Sequence, residues 1–136
     1  MSSKTLIFSL VLAVALHGLS MQARSEAAGG EPVVVRIVNA MPASGLPNVS
    51  MTIRVVGQGF FPPVSLGGGQ EFLLKASENS SYNAVAVFGL KFAAFYPYAP
   101  TRDKGQAAVN WKVDDVGFYK SYDETKWKLD TPWETD

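Results

Sequence analysis

Residues 51–56 read MTIRVV, and the alternation within this run decides the fold class. Met51, Ile53 and Val55 fall on one side of an extended chain while Thr52 and Arg54 fall on the other, the period of two that a half-buried strand requires. AAVNWKV at 107–113 repeats the pattern, with Ala107, Val109, Trp111 and Val113 opposite Ala108, Asn110 and Lys112. Trp111 is therefore expected as a core anchor. Five more β-rich runs flank these two: VVVRIVN at 33–39, EFLLKA at 71–76, NAVAVFGL at 83–90, KFAAFY at 91–96 and GFYKSY at 117–122. Pro42, Gly45 and Pro47, then Pro62, Pro63 and Gly67 to Gly69, then Pro100 and Gly105 mark the connectors, because Pro fixes φ and Gly reaches positive φ. No window of about a dozen residues after the N-terminal segment holds an apolar stripe of helical period, so any helix is short. Seven short runs at this spacing suggest a sandwich or a barrel. The fold expected is all-β, an antiparallel β-sandwich, as a single small domain over residues 33–128.

The remaining segments read differently. Met1 to Lys4 carry one positive side chain and Thr5 to Leu16 read TLIFSLVLAVAL, after which Gly18 and Ser20 break the apolar run. This has the form of a signal peptide, residues 1–25, with Ala23-Arg24-Ser25 as the preferred cleavage site. The apolar run falls short of the roughly 20 residues that span a bilayer, so no membrane insertion is expected after cleavage. Residues 26–32 read as a flexible leader. At the other end, residues 129–136 read as a flexible acidic tail, in which Trp133 beyond Pro132 is expected to be free. Trp127 is expected to fold back on a sheet edge.

Charge and composition exclude several classes. Twelve Lys and Arg balance 12 Asp and Glu, with no basic stripe, so nucleic acid is not expected as a partner. Cleavage after Ser25 removes Lys4, Arg24 and His17, leaving 10 basic side chains against 12 acidic, a net charge of −2, and no histidine. With no cysteine either, the mature chain lacks the parts of a Ser-His-Asp or Cys-His nucleophile and of a zinc site of nitrogen and sulfur ligands. No catalytic residue, metal or cofactor is therefore expected, and the core must hold the fold without disulfides.

The order of the runs carries a family resemblance. Val35-Arg36-Ile37-Val38-Asn39 opens the domain, Gly69-Gln70-Glu71-Phe72 begins a middle strand, and Trp111-Lys112-Val113-Asp114-Asp115-Val116-Gly117-Phe118-Tyr119 closes it, with Trp127 trailing. Over about residues 33–128 the chain resembles the plant self-incompatibility proteins, or S-protein homologues. Its most specific block is Trp111 followed by Asp115, Gly117, Phe118 and Tyr119. The resemblance implies a secreted, non-enzymatic β-sandwich that serves as an extracellular recognition ligand in cell-cell communication. Members typically carry four cysteines in two disulfides, and residues near Val55, Val87 and Val109 stand about where cysteines are expected, so this chain would be a divergent branch.

Several residues are candidates for chemistry or recognition. Asp114 and Asp115 are adjacent carboxylates in an expected hairpin turn closed by Gly117, and neighbours in a turn diverge rather than face one another across a sugar. Trp111 and Tyr119 fit core positions better than stacking platforms. Asn48-Val49-Ser50 and Asn79-Ser80-Ser81 are N-glycosylation sequons in expected loops, with Asn79 preferred over Asn48, which follows Pro47. Phe60-Phe61-Pro62-Pro63 is either an exposed partner-binding loop or a flap folded back on the sandwich edge. Thr101, Arg102, Asp103 and Lys104 form the most hydrophilic connector, expected to be solvated and, with Phe60 and Phe61, to carry partner recognition. The function expected is therefore that of a secreted ligand for a membrane receptor or another extracellular protein. The alternative is a carbohydrate-binding or cell-wall-associated module, which exposed coplanar aromatics on one sheet face would favour.

Overall fold

Alternation of buried and exposed side chains runs through the strands of the structure, a computed structural model that describes residues 32–135. The expected signal segment 1–25 and all but Pro32 of the leader lie outside the described residues. Ten strands form: β1 (Pro32–Asn39), β2 (Val49–Val55), β3 (Gly59–Phe60), β4 (Val64–Leu66), β5 (Glu71–Ser77), β6 (Tyr82–Phe88), β7 (Lys91–Tyr98), β8 (Ala108–Val113), β9 (Gly117–Ser121) and β10 (Lys128–Pro132). Among the described residues one short helix, α1 (Pro100–Asp103), sits between β7 and β8. All seven sequence runs are strands.

The strands make two packed sheets. The first has the order β10-β9-β8-β1-β5 and the second β3-β2-β6-β7, with β4 also paired to β2. The all-β sandwich expectation holds, with one amendment to its topology: β1 and β8 pair in parallel, Val35 beside Val109 and Ile37 beside Trp111. Parallel neighbours need a long crossover, and here it holds the whole second sheet together with β5. Every other named pairing is antiparallel.

Between the sheets the inward residues are those the alternation selects. Met51, Ile53 and Val55 are buried while Thr52 and Arg54 are exposed, and Val109, Trp111 and Val113 are fully buried. Asn110 departs from the expected pattern: it is buried although its parity faces outward, set in register between Arg36 of β1 and Ser121 of β9. The second sheet faces the core with the small side chains Ala84, Ala86 and Ala93, which leave room for large ones opposite. Phe95 of β7 fills the space, 4.8 Å from the Trp111 ring and stacked 4.2 Å from Phe118, so three rings bridge the two sheets. The polar handles of the buried aromatics are satisfied, as burial demands. Trp111 Nε1–H donates to the Pro97 carbonyl, Tyr98 Oη–H to the Glu78 carbonyl, and Tyr82 Oη accepts from the Ser77 amide.

Asn39, which ends the opening V-x-I-x-N strand, is buried for a structural reason. Its Nδ2 donates to the Leu66 carbonyl and its Oδ1 accepts from the Met41 amide, tying β1 to β4 where the chain leaves the sheet.

The tail differs from expectation. Residues 128–132 are a strand, not a flexible end, and Trp133 is not free. Its indole lies 5.2 Å from Phe118 and 5.7 Å from Phe88, and its Nε1–H donates to the Asp114 carbonyl at 2.7 Å. Apolar burial of the ring and a satisfied indole N–H together outweigh the entropy of a loose end. Beyond it, Phe92 and Glu134 exchange backbone hydrogen bonds, at 2.9 and 2.8 Å, along the outer edge of β7. Trp127 is half-buried, with the Lys112 ammonium 4.5 Å above its ring.

Candidate functional site

Directly paired residues of a sheet share a face, and on the second sheet the outward face is apolar. Val87 is flanked by Ser50 and Phe92, and Val85 by Thr52 and Ala94. Val85, Val87 and Tyr96 are each 45–47% exposed and Phe92 39%. At the far edge, Phe60 pairs with outward-facing Arg54 and is 69% exposed. One face thus carries apolar side chains from β3, β6 and β7 around the polar stripe Ser50, Thr52 and Arg54 of β2. Exposed apolar surface such as that of Val85, Val87, Phe92 and Tyr96 on β6 and β7 marks interaction sites.

The two phenylalanines of the 60–63 segment therefore part. Phe60 points outward onto this face, whereas Phe61 is 7% exposed and packs 6.3 Å from the Tyr82 ring. Phe61 cannot meet a partner, which corrects its assignment as a binding residue. Proximity to Pro62 fixes neither outcome; the strand parity set by the Arg54–Phe60 pair does.

The connector at 101–104 is not a solvated tip. Pro100 starts α1 with its fixed φ, and the turn buries Asp103 completely. The Asp103 carboxylate accepts from Arg102 Nε at 2.7 Å and from Arg102 Nη2, Tyr122 Oη–H and the Ala99 amide. Arg102 Nη2 also donates to the Tyr96 carbonyl, and its guanidinium lies 5.5 Å over Trp111. Burial works against the ionised carboxylate, but the hydrogen bonds from Arg102, Tyr122 and Ala99 hold Asp103 below the usual carboxylate range. Burial first and the neighbouring carboxylate second push the Tyr122 hydroxyl up to about 12. Asp103 is thus a structural anchor and not a recognition residue, while Thr101 and Lys104 remain exposed. A buried charge is retained only when fully partnered; the sequence shows no sign of a partner lying 19 residues ahead, at Tyr122.

The W…D-x-G-F-Y block resolves into structural parts. Asp114 Oδ1 accepts from the Val116 and Gly117 amides, as expected of a turn-forming Asp, and Asp115 is exposed beside it. Gly117 is required by close approach: a Cβ there would stand 2.3 Å from the Thr131 carbonyl oxygen and 2.6 Å from Pro132 Cα. Phe118 is core, and Tyr119 is half-buried opposite Lys112 and Leu129.

Both sequon asparagines are exposed. Asn48 Nδ2, the atom a glycan would join, donates to Ser65 Oγ at 2.9 Å. Asn79 sits in the β5–β6 turn, where its side-chain Oδ1 accepts from Lys104 Nζ at 3.2 Å. Among the described residues no group of three or more carboxylates could hold a metal ion, and no helix is long and apolar enough to cross a membrane.

Sequence reasoning places recognition in the loops and misses the sheet face. The signal is present: NAVAVFGL and KFAAFY are apolar at both parities, so one apolar set has to remain outside. No family model, curated protein or solved structure matches the chain.

Proposed function

We propose that the chain is a small secreted, non-enzymatic binding protein, an extracellular recognition or signalling ligand of the kind the self-incompatibility resemblance implies, engaging a membrane receptor or another extracellular protein. The observation that carries this is the outward apolar face of the second sheet, with Phe60, Val85, Val87, Phe92 and Tyr96 on one surface. A rigid sandwich presents such a face without the entropy cost of ordering a loop on binding. A glycan at Asn79 would leave it open, since Asn79 lies in the β5–β6 turn, whereas Asn48 stands at the margin of the face, its Nδ2 on Ser65, the pair partner of Ser50.

A carbohydrate-binding module is the second reading, favoured by Phe92 and Tyr96, two exposed aromatics on the same side of β7.

Expression of the full chain in a eukaryotic secretory host tests the first step. The expected product is a protein in the medium that begins near Glu26 and loses mass on removal of N-glycans. Retention in the cell with residues 1–25 intact overturns the proposal. Saturable binding of the secreted protein to cell surfaces, lost in Val87→Lys, is the expected second result.

A further inference from the structure

A groove of about 400 Å³, lined by Arg102, Lys120, Lys128, Leu129 and Asp130, opens along β9 and β10, where Arg102 reaches the Tyr96 carbonyl of β7. Its charges are placed at a cost. Lys120 and Lys128 stand directly opposite in the β9–β10 register, and like charges so paired are destabilising. Among the described residues neither makes an ion pair. The Lys120 ammonium instead rests 3.9 Å from the centre of the Tyr122 ring. Arg102 adds a third positive charge, its fork oriented by Asp103 through Nε and Nη2, which leaves Nη1 without a partner among the described residues. Asp103 beneath it is fully buried, out of a ligand's reach. Burial, then Arg102, draw the Lys120 ammonium below its ordinary value, although Asp103 and Asp130 pull the other way.

From this juxtaposition we infer that the groove binds an oxyanion carried by a hydroxylated ligand, an acidic sugar such as a uronic acid. The three cations meet the oxyanion, with charge-assisted bonds from Arg and Lys. Asp130 decides the rest. Its carboxylate lines the same groove, engaged by the Thr131 hydroxyl at 2.7 Å, and it repels a second negative charge while accepting from hydroxyls. A ligand with one anionic group beside several O–H donors fits both ends, and the groove is far larger than a bare ion, given the ~30 Å³ a single water takes. The ligand class rests on the carbohydrate reading above, but the side chains that line the groove are not those of the sheet face.

The test is titration of the secreted protein with three probes: a trisaccharide ending in a uronic acid, its uncharged parent, and inorganic sulfate. The acidic trisaccharide is expected to bind most tightly, to weaken as salt rises, and to lose about tenfold or more in Lys120→Gln/Lys128→Gln, since two charge-assisted contacts go. That variant should still fold, because the repulsion it removes offsets the loss of the Lys120–Tyr122 ring contact; Lys128→Glu alone should also weaken binding. Equal binding of the uncharged sugar overturns the inference while leaving the carbohydrate reading to the Phe92–Tyr96 face. Sulfate binding as tightly as the acidic sugar overturns the ligand class. Unchanged binding in both variants overturns the site.

Discussion

Replacing Asp103 by Asn keeps shape and removes one charge at a site where every acceptor position is taken. Oδ1 receives Arg102 Nε and Tyr122 Oη–H; Oδ2 receives Arg102 Nη2 and the Ala99 amide. Whichever way the new amide turns, its NH2 confronts a pair of donors, and the Arg102 charge is left without its counter-ion. Breaking a buried pair costs about 3–5 kcal/mol. The Arg102 side chain retains 29% exposure, so water recovers part of this and the lower end, about 3 kcal/mol, is expected. Against the roughly 5–15 kcal/mol of an ordinary domain this is large, and at about 4 °C per kcal/mol it lowers Tm by about 12 °C. Urea unfolding monitored by tryptophan fluorescence, with Tm from circular dichroism, gives the difference directly. The pH dependence gives a second handle. Asp103 titrates in the folded state below its ordinary value of 3.8, so its contribution is complete above that value and is lost as pH falls through the lower, folded one. The gap between wild type and Asp103→Asn should therefore be constant near neutrality and narrow below about pH 4. A loss under about 1 kcal/mol at pH 7 would refute the anchoring role, since that is no more than an exposed pair contributes.

Four other outcomes follow from this and other contacts of the fold. Tyr122→Phe removes one hydrogen bond to a charged acceptor and should cost about 1.5–3 kcal/mol by urea unfolding. Gly117→Ala must push β10 aside, since its Cβ would overlap the Thr131 and Pro132 backbone, and should destabilise by about 1–3 kcal/mol or more, as overpacking does, with exchange of the Trp133 amide accelerated. Trp133→Ala should cost about 3 kcal/mol in the same unfolding assay, the low end for a large aromatic because the ring is only partly buried. Phe60→Ser should leave stability within about 0.5 kcal/mol, as an exposed surface change does, while Phe61→Ser should lower Tm by several degrees; equal effects would contradict their opposite placement.

How much of the fold and the site was legible in the sequence depended on whether the physics is local. Strand parity is local, so Met51, Ile53, Val109 and Trp111 fall where alternation puts them. The turn at Asp114 is local too. The Asp103 anchor joins α1 to Tyr122 after β9, and Trp133 finds its place only because Phe88 and Phe118 converge beneath it. Polar residues in a connector look wet until a distant partner makes burial tolerable, which is why 101–104 misled. The apolar face was hidden by the opposite habit: apolar residues in strands are read as core, although β6 and β7 have only one side against the other sheet.

The backbone exchange between Phe92 and Glu134 occupies the rim of β7, beside the exposed Val85, Val87 and Tyr96. A chain cut after Pro132 would lose it, together with the Trp133 ring. The strand would then offer bare amide and carbonyl groups next to an oily surface, a template on which a second molecule could add its own strand and a third attach in turn. Trp133 and Glu134 thus cover this stretch of the β7 edge. Trimming there bares a strand edge of the kind on which chains add to one another.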